Sequence, residues 1–241
     1  MPPAPEISVV VPVFDEAANV GPLAREIAAA YAGRAYEMIF VDDRSRDGTR
    51  EALLGLKAEL PTLRILSHRS NSGQSRSVRT GVLAARAAIV VTLDGDGQNP
   101  PADAPRLSDR LAAAPPEVAL VGGEREKRRD TAAKRWASRA ANGVRRRLLD
   151  DGANDTGCGL KAFRREAFLR LPYFDHMHRY LPALMLREGY RVEFLRVGHR
   201  PRTSGFSKYT NLGRLWASLS DLAGVMWLRA RSRSPGGADE L

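Results

Sequence analysis

The first residues that could do chemistry form an acidic loop, Asp94-Gly95-Asp96-Gly97-Gln98, directly after the apolar run 88–93. Two carboxylates one residue apart, with an amide oxygen two residues further on, can converge on one hard cation. Oxygen ligands suit Mg²⁺ or Mn²⁺, and such ions usually also contact phosphate groups. A D-x-D pair also arises in ordinary capped turns, so its place after a buried strand is what favours a metal site.

A second acidic loop, 42–49, also follows a short apolar run. The Asp43 carboxylate could accept a hydrogen bond from a nucleobase N–H or from a ribose hydroxyl. A plain turn with a helix cap accounts for Asp47-Gly48, but it does not explain the doublet Asp42-Asp43. The segment 71–75, Asn-Ser-Gly-Gln-Ser, is a glycine turn before a helix, and a helix N-terminus favours anions.

The elements that must position these loops alternate between strands and helices. Apolar runs predict strands, and apolar residues at helical spacing predict helices. The predicted strands are 7–13, 38–41, 63–66, 88–93 and 118–121, and the predicted helices are 19–32, 49–60, 75–87 and 100–113. Residues 155–171 predict a strand and then a helix, and 190–197 a strand. The alternation indicates an α/β fold with a Rossmann-like, mostly parallel sheet and helices on both faces, in which ligands bind beyond the carboxyl ends of the strands.

The charge balance indicates an anionic partner. Thirty-eight Lys and Arg against 28 Asp and Glu give a net charge of +10, which suits nucleic acid, phospholipid or a phosphorylated small molecule, or serves solubility alone. The single cysteine, Cys158, excludes an internal disulfide framework and a cysteine-based zinc site. The N-terminus shows no secretory signal, and no run of 18 uncharged apolar residues predicts a membrane span.

Two segments of the second half predict amphipathic helices. Residues 125–147 contain ten Lys or Arg and two acidic residues, with apolar residues at i+4. A basic interfacial helix is therefore expected at about 129–150, suited to an anionic membrane surface, and a solvated helix face is the alternative. Residues 211–229 predict a membrane-associating amphipathic helix, with docking on the domain core as the alternative. We expect the polar tail 230–241 to be disordered.

Six segments, in order from Ile7 to Tyr209, resemble family-two glycosyltransferases of the GT-A fold, in particular their dolichyl-phosphate mannosyltransferase-like branch. The segments are 9–16 (VVVPVFDE), 41–49 (VDDRSRDGT), 73–81 (GQS and TG at its two ends), 94–101 (DGDGQNPP), 155–165 (DTGCGLKAFRR) and 202–209 (RTSGFSKY). The resemblance implies a GT-A domain over residues 1–210. Gly97 and Asn99 stand where Leu and His are usual in this branch, so the resemblance leaves the sugar open.

What the resemblance implies is an inverting, metal-assisted transfer of a hexose from a GDP- or UDP-linked sugar to a polyprenyl phosphate, with Mg²⁺ or Mn²⁺ as the cofactor. A phosphate monoester is already anionic at neutral pH, so no general base is expected. The implied donor-binding residues are Pro12, Phe14, Glu16, Asp43, Gln74, Asp94 and Gly95, and the implied metal ligands are Asp94, Asp96 and Gln98. The implied acceptor-phosphate residues are Arg125, Arg139, Arg202 and Lys208. The residues implied to be catalytic are Asp96, Arg125, Arg139 and Arg202.

The expected partners are the nucleotide-sugar, the polyprenyl phosphate and an anionic membrane surface, with the protein peripheral on the cytoplasmic face of the cell membrane. A homo-oligomer and a membrane-protein partner are further candidates. One alternative is a family-two enzyme with another lipid or glycan acceptor, and another is a basic nucleic-acid or membrane-binding module. A content of 7% aromatic residues disfavours nucleic acid. A membrane-bound scaffold without activity would lack intact metal and phosphate residues.

The histidines and the cysteine give weaker signals. His176 and His178 form an H-x-H pair, but no third metal ligand is identifiable, so a structural or sugar-contacting role is favoured. Cys158 has no base identifiable beside it, which disfavours a catalytic thiol. His68 and His199 carry no functional signal.

Overall fold

The computed structural model describes residues 4–125, 148–201 and 211–233, with the backbone alone for 211–218. The predicted interfacial helix at 129–150 therefore lies almost entirely outside the described residues. Arg139, Arg202 and Lys208, implied to bind the acceptor phosphate, also lie outside them, as does most of the predicted tail.

The described residues form a seven-stranded sheet with helices. The strands are β1 (Ile7–Val13), β2 (Tyr36–Asp42), β3 (Leu63–Ser67), β4 (Ile89–Thr92), β5 (Val118–Arg125), β6 (Lys161–Arg164) and β7 (Arg191–Val197). The helices are α1 (Ala17–Ala30), α2 (Thr49–Gly55), α3 (Gln74–Ala84), α4 (Ala104–Ala113), α5 (Arg165–Arg170), α6 (Leu181–Arg187) and α7 (Asn211–Ala230), with 3₁₀ turns at Pro101–Asp103 and Met177–Arg179. The strand order is β3-β2-β1-β4-β6-β5-β7.

The sheet is mostly parallel, which confirms the predicted fold class. β1 pairs in parallel with both β2 and β4, whereas β6 runs antiparallel to its neighbours β4 and β5. All of β1 is buried, as expected for an internal strand covered on both faces. Alternate residues of β1 pack on opposite faces, so Val9 and Val11 join one apolar cluster and Val10 joins the other.

Two helices differ from the sequence expectations. The predicted helix 49–60 ends at Gly55, and turns carry the chain onward from there. Leu56 and Leu60 still pack into the core, which explains why their spacing looked helical. α6 was not predicted, because its first five residues are all buried and leave no polar side that would mark a helical period.

α7 is apolar on two sides. Leu222 and the fully buried Val225 pack in the apolar cluster that also contains α6, and the Arg187 guanidinium donates to the Leu228 carbonyl oxygen at 3.0 Å. The other side exposes Leu219, Met226 and Trp227. Docking on the core, the alternative considered for this segment, therefore accounts for one side of the helix only. No helix among the described residues is long and apolar enough to cross a membrane.

Candidate donor and metal site

The carboxyl ends of β2, β1 and β4 lie side by side at one edge of the sheet. This follows from the parallel pairing of β1 with both neighbours. The edge brings together Asp43, which follows β2, the loop 94–98, which follows β4, and Pro12, near the end of β1. Most of the implied donor and metal residues of the described chain therefore share one surface, as expected for an α/β sheet.

Asp94 is held from two sides. The Gln74 side-chain amide at the start of α3 donates to Asp94 Oδ1 at 2.8 Å. A Cβ atom added to Gly159 would overlap the Asp94 carboxylate, so this position requires glycine. Burial, reinforced by the charge of Asp96, raises the pKa of Asp94 to about 6. The two carboxylates thus form a concentration of negative charge that the surrounding residues do not fully offset.

The rest of the acidic loop is a tight turn against β1. A Cβ atom on Gly95 would lie 2.9 Å from the carbonyl oxygen of Pro12, and Gly97 has a φ of +71°. The Gln98 backbone N–H donates to Asp96 Oδ1 at 3.1 Å, the contact expected of an ordinary capped turn. The Arg200 backbone N–H donates to the Gln98 carbonyl oxygen at 2.9 Å, which places the segment before residue 202 beside this loop.

Asp43 is buried and accepts several hydrogen bonds. Its Oδ1 lies 2.7 Å from Nδ1 of His68 and accepts the Ser72 backbone N–H at 2.9 Å. Its Oδ2 accepts the Gly73 backbone N–H at 2.7 Å. Gly73 has a φ of +84° and leads directly into Gln74. The Asp43 carboxylate therefore anchors the turn that delivers Gln74 to Asp94.

The loop after β1 packs against the loop after β2. The Glu16 backbone N–H donates to Thr49 Oγ1 at 2.8 Å, and the Glu16 carboxylate accepts the Asn19 side-chain amide at 2.5 Å. Phe14 is half-buried in the same loop. These contacts place Phe14 and Glu16 near the sheet edge.

A small cleft opens at this edge. Its polar lining includes Gln74, Asp94, His178 of the H-x-H pair, and Lys161, for which the sequence predicted no specific role. Lys161 Nζ donates to the Cys158 carbonyl oxygen, and burial lowers the pKa of Lys161 although the carboxylate of Asp94 opposes that effect. A lysine inside a short buried strand was the sequence signal that could have identified it.

The H-x-H pair is divided between two different contacts. His176 Nδ1 lies 2.9 Å from Asp221 Oδ2 on α7, whereas His178 Nδ1 lies 2.7 Å from Ser75 Oγ on α3. Burial lowers the pKa of His178 well below its usual value. Within the described part of the chain, no three His, Cys, Asp or Glu side chains form a metal cluster. His176 thus joins its turn to α7, and His178 joins it to α3 at the wall of the cleft, so a structural or sugar-contacting role stays a prediction.

Arg125 has a partner that the sequence did not identify. Its guanidinium makes a bidentate pair with Asp155, with Nε 2.5 Å from Oδ2 and an Nη 2.7 Å from Oδ1. Burial opposes the charged form, but the hydrogen bond and charge of Asp155 prevail and raise the pKa of Arg125. Cys158 is buried nearby, and burial raises the pKa of its thiol, which makes it a poor nucleophile.

Comparison with known proteins decides the family. The sequence model of Glycosyl transferase family 2 matches residues 8–171, the part of the chain that contains every site residue just described except His176 and His178. The chain belongs to glycosyl transferase family 2. The family assignment confirms the resemblance found in the sequence and makes the protein a glycosyltransferase.

Two curated proteins are similar to this chain over most of its length. The dodecaprenyl-phosphate galacturonate synthase of Rhizobium johnstonii is 33% identical over 237 residues, which cover 96% of this chain and 69% of the relative. The undecaprenyl-phosphate 4-deoxy-4-formamido-L-arabinose transferase of Pseudomonas aeruginosa is 36% identical over 225 residues, covering 91% and 65%. The chain therefore spans about two thirds of the length of these relatives.

Solved structures with low sequence identity share the fold. Glucosyl-3-phosphoglycerate synthase from Mycobacterium tuberculosis, solved with Mn²⁺, UDP and glucosyl-3-phosphoglycerate, matches with a TM-score of 0.70. The match covers 96% of this chain and 82% of that chain at 18% identity. The same enzyme solved with Mg²⁺ and UDP matches with a TM-score of 0.71. At this level of identity the likeness establishes the fold alone.

Proposed function

We propose that this family 2 glycosyltransferase transfers a hexose from a nucleotide-sugar to a polyprenyl phosphate with inversion at the anomeric carbon. The observation that carries the proposal is the sheet edge that brings Asp43 together with Asp94 and Asp96, beside a cleft that Asp94 lines. Such an edge suits a nucleotide diphosphate with its cation. The names of the two curated relatives, both polyprenyl-phosphate sugar transferases or synthases, support the acceptor.

The donor set fits a divalent cation. Burial, reinforced by the charge of Asp96, raises the pKa of Asp94, and a cation between the two carboxylates would stabilise their ionised forms. Asp94, Asp96 and Gln98 would hold Mg²⁺ or Mn²⁺, the ions present in the solved neighbours. When bound, the cation would supply charge neutralisation for the leaving diphosphate. The position of the cation would be set by the protein, since Gln74 and Gly159 fix the Asp94 carboxylate.

Replacing Gly159 with alanine tests that placement. The added Cβ overlaps the Asp94 carboxylate, and a misplacement of about 1 Å in an active site costs about 10²-fold in rate. We therefore expect Gly159→Ala to lower the sugar-transfer rate by at least about tenfold and to raise the Mg²⁺ concentration needed for half-maximal activity. Gly55→Ala is the matched control, because a Cβ there meets nothing within 4 Å. Equal transfer rates of the two variants would contradict the assignment of Asp94 as a metal ligand.

The acceptor phosphate needs cationic groups and no base. A phosphate oxygen is already anionic, so positioning and partial neutralisation are the main tasks of the protein. Arg125 ends β5, where it pairs with Asp155, and the charge of Asp94 adds slightly to the rise in its pKa. The role in binding the acceptor phosphate remains a prediction for Arg125, and equally for Arg139, Arg202 and Lys208. Arginine suits this role because its planar fork makes bidentate bonds to phosphate oxygens.

Acceptor chemistry is tested with two lipids that differ in one group. The same detergent-solubilised protein is given a polyprenyl phosphate or the corresponding polyprenol, with one labelled nucleotide-sugar and Mg²⁺. The proposal predicts a labelled glycolipid with the phosphate alone. Transfer to the polyprenol, or to a soluble glycan at an equal rate, would refute the polyprenyl-phosphate acceptor while leaving glycosyl transfer intact.

The exposed side of α7 fits an anionic membrane surface. Trp227 is 61% exposed and Leu219 is 51% exposed, and exposed Arg231 and Arg233 follow the helix directly. An apolar side next to cationic residues is the pattern of a helix that lies in a membrane interface. The protein would then lie at the membrane that holds its lipid acceptor, on the cytoplasmic face.

Leu219→Ala tests this surface. Loss of a leucine side chain from the lipid phase removes about 1.5 kcal/mol or more, so we expect binding to vesicles containing anionic phospholipid to weaken about tenfold in a flotation assay. Leu54→Ala is the matched control, since Leu54 on α2 is also 51% exposed. Equal vesicle binding by both variants would refute α7 as the contact.

A further inference from the structure

His68 lies behind the Asp43 carboxylate and touches two elements at once. Its ring follows β3, with Nδ1 2.7 Å from Asp43 Oδ1 and Nε2 2.9 Å from Thr80 Oγ1 on α3. Its side chain is 14% exposed. The ring is therefore fixed at both nitrogens, and it orients the carboxylate that the proposed function places against the donor.

The contacts define the direction of each hydrogen bond. An ionised carboxylate accepts hydrogen bonds and has no proton to donate, so Nδ1 of His68 must carry the proton that Asp43 Oδ1 accepts. In the neutral ring Nε2 is then an acceptor, and the hydroxyl group of Thr80 donates to it. The Asp43 carboxylate thus selects the tautomer of His68, and the Thr80 hydroxyl, which can donate or accept, adapts to it.

The carboxylate of Asp43 has little acceptor capacity left. A carboxylate offers about four lone-pair positions, two on each oxygen. Oδ1 accepts both His68 Nδ1–H and the Ser72 N–H, whereas Oδ2 accepts the Gly73 N–H. Counting donors from the described residues, Oδ1 is filled and Oδ2 keeps one position. The side chain of Asp43 is 5% exposed, which leaves a narrow approach.

We propose that His68 is a specificity-determining residue that, by filling Oδ1 of Asp43, restricts the donor base to one that presents a single N–H. This inference rests on the proposed function only in placing a nucleotide-sugar at Asp43. Uracil presents one imide N–H between two carbonyl groups and needs one acceptor position. Guanine presents its ring N–H and its amino group side by side, and this pair needs one position on each carboxylate oxygen. Between the UDP- and GDP-linked donors considered for this protein, the donor is therefore the UDP-sugar.

Nucleotide binding without any acceptor tests the proposal. We expect calorimetry with UDP and GDP, each with Mg²⁺, to give at least tenfold tighter binding of UDP by the wild-type protein. His68→Leu removes the donor to Oδ1, and the UDP-to-GDP preference should fall at least fivefold. His68→Asn is the conservative control, because its amide nitrogen can take the place of Nδ1. It should restore most of the preference.

A second measurement covers the case in which His68→Leu does not fold. The ¹⁵N chemical shifts of the wild-type His68 ring should show a protonated Nδ1 and an unprotonated Nε2, with and without UDP. A ring protonated on Nε2 alone would overturn the proposal, and so would GDP binding as tight as UDP binding, or a preference unchanged in a folded His68→Leu.

The test of His68 and the test of the proposed function can fail independently of each other. A protein that prefers UDP through His68 but glycosylates no polyprenyl phosphate would refute the acceptor and leave this inference standing. A protein that glycosylates polyprenyl phosphate from a GDP-sugar would do the reverse. Binding of neither nucleotide would overturn both.

Discussion

Asp96→Ala is expected to reduce metal-dependent sugar transfer by at least about 10²-fold while the protein stays folded. A divalent cation contributes several kcal/mol of charge stabilisation at a leaving diphosphate, and each 1.4 kcal/mol is a factor of ten in rate. Asp96 lies half-buried in the turn beyond β4, outside both apolar clusters. Its loss should therefore remove the cation without opening the core. The transfer rate and the Mg²⁺-induced rise in Tm are the measurements.

Asp109→Ala is the control for a general effect of losing a carboxylate. The Asp109 side chain is 57% exposed on α4, where it pairs with Arg34 at 2.7 Å. This variant should keep both the transfer rate and the Mg²⁺-induced rise in Tm. If Asp96→Ala keeps the Mg²⁺ response of the wild type, the metal assignment at 94–98 is wrong.

Asp155→Ala is expected to lower the free energy of unfolding by about 3 kcal/mol. Arg125 and Asp155 are each 11% exposed, and removing one partner of a buried ion pair leaves an uncompensated buried charge. The expected loss is a large share of the stability of an ordinary domain. Urea unfolding of the wild type and the variant gives the difference directly.

The Arg25–Glu59 pair is a matched comparison. It has the same bidentate geometry, with distances of 2.8 and 2.9 Å, but its side chains are 54% and 48% exposed. Glu59→Ala should change the free energy of unfolding by about 0.5 kcal/mol or less. Equal losses of unfolding free energy in the two variants would show that burial does not strengthen the contribution of the Arg125–Asp155 pair to stability.

The sequence predicted the strands and the sheet edge because these depend on local pattern. The buried runs at β1, β2 and β4 are short, apolar and followed by acidic residues. Once the sheet is parallel, the ends of neighbouring strands must meet, so Asp43 and Asp94 were placed correctly at one edge. The roles of these residues at that edge remain predictions.

The contacts that hold the site could not be predicted, because they join residues far apart in the sequence. His68 carried no signal, yet it contacts Asp43, 25 positions earlier, and Thr80. Ser75 and His178 are 103 positions apart. Arg125 matched a family position, but its pairing with Asp155 depends on how β5 meets the loop before β6. The spacing of residues within one strand or helix gives no information about contacts between such distant residues.

The transfer of a sugar to polyprenyl phosphate can be measured with a panel of radiolabelled UDP- and GDP-sugars. The acceptor is a polyprenyl phosphate in detergent, with Mg²⁺, Mn²⁺ or EDTA present. We expect a labelled glycolipid from a UDP-sugar with either cation, and no labelled glycolipid when EDTA is present. Absence of product from every donor, with nucleotide binding that EDTA leaves unchanged, would contradict both the metal site and the proposed reaction.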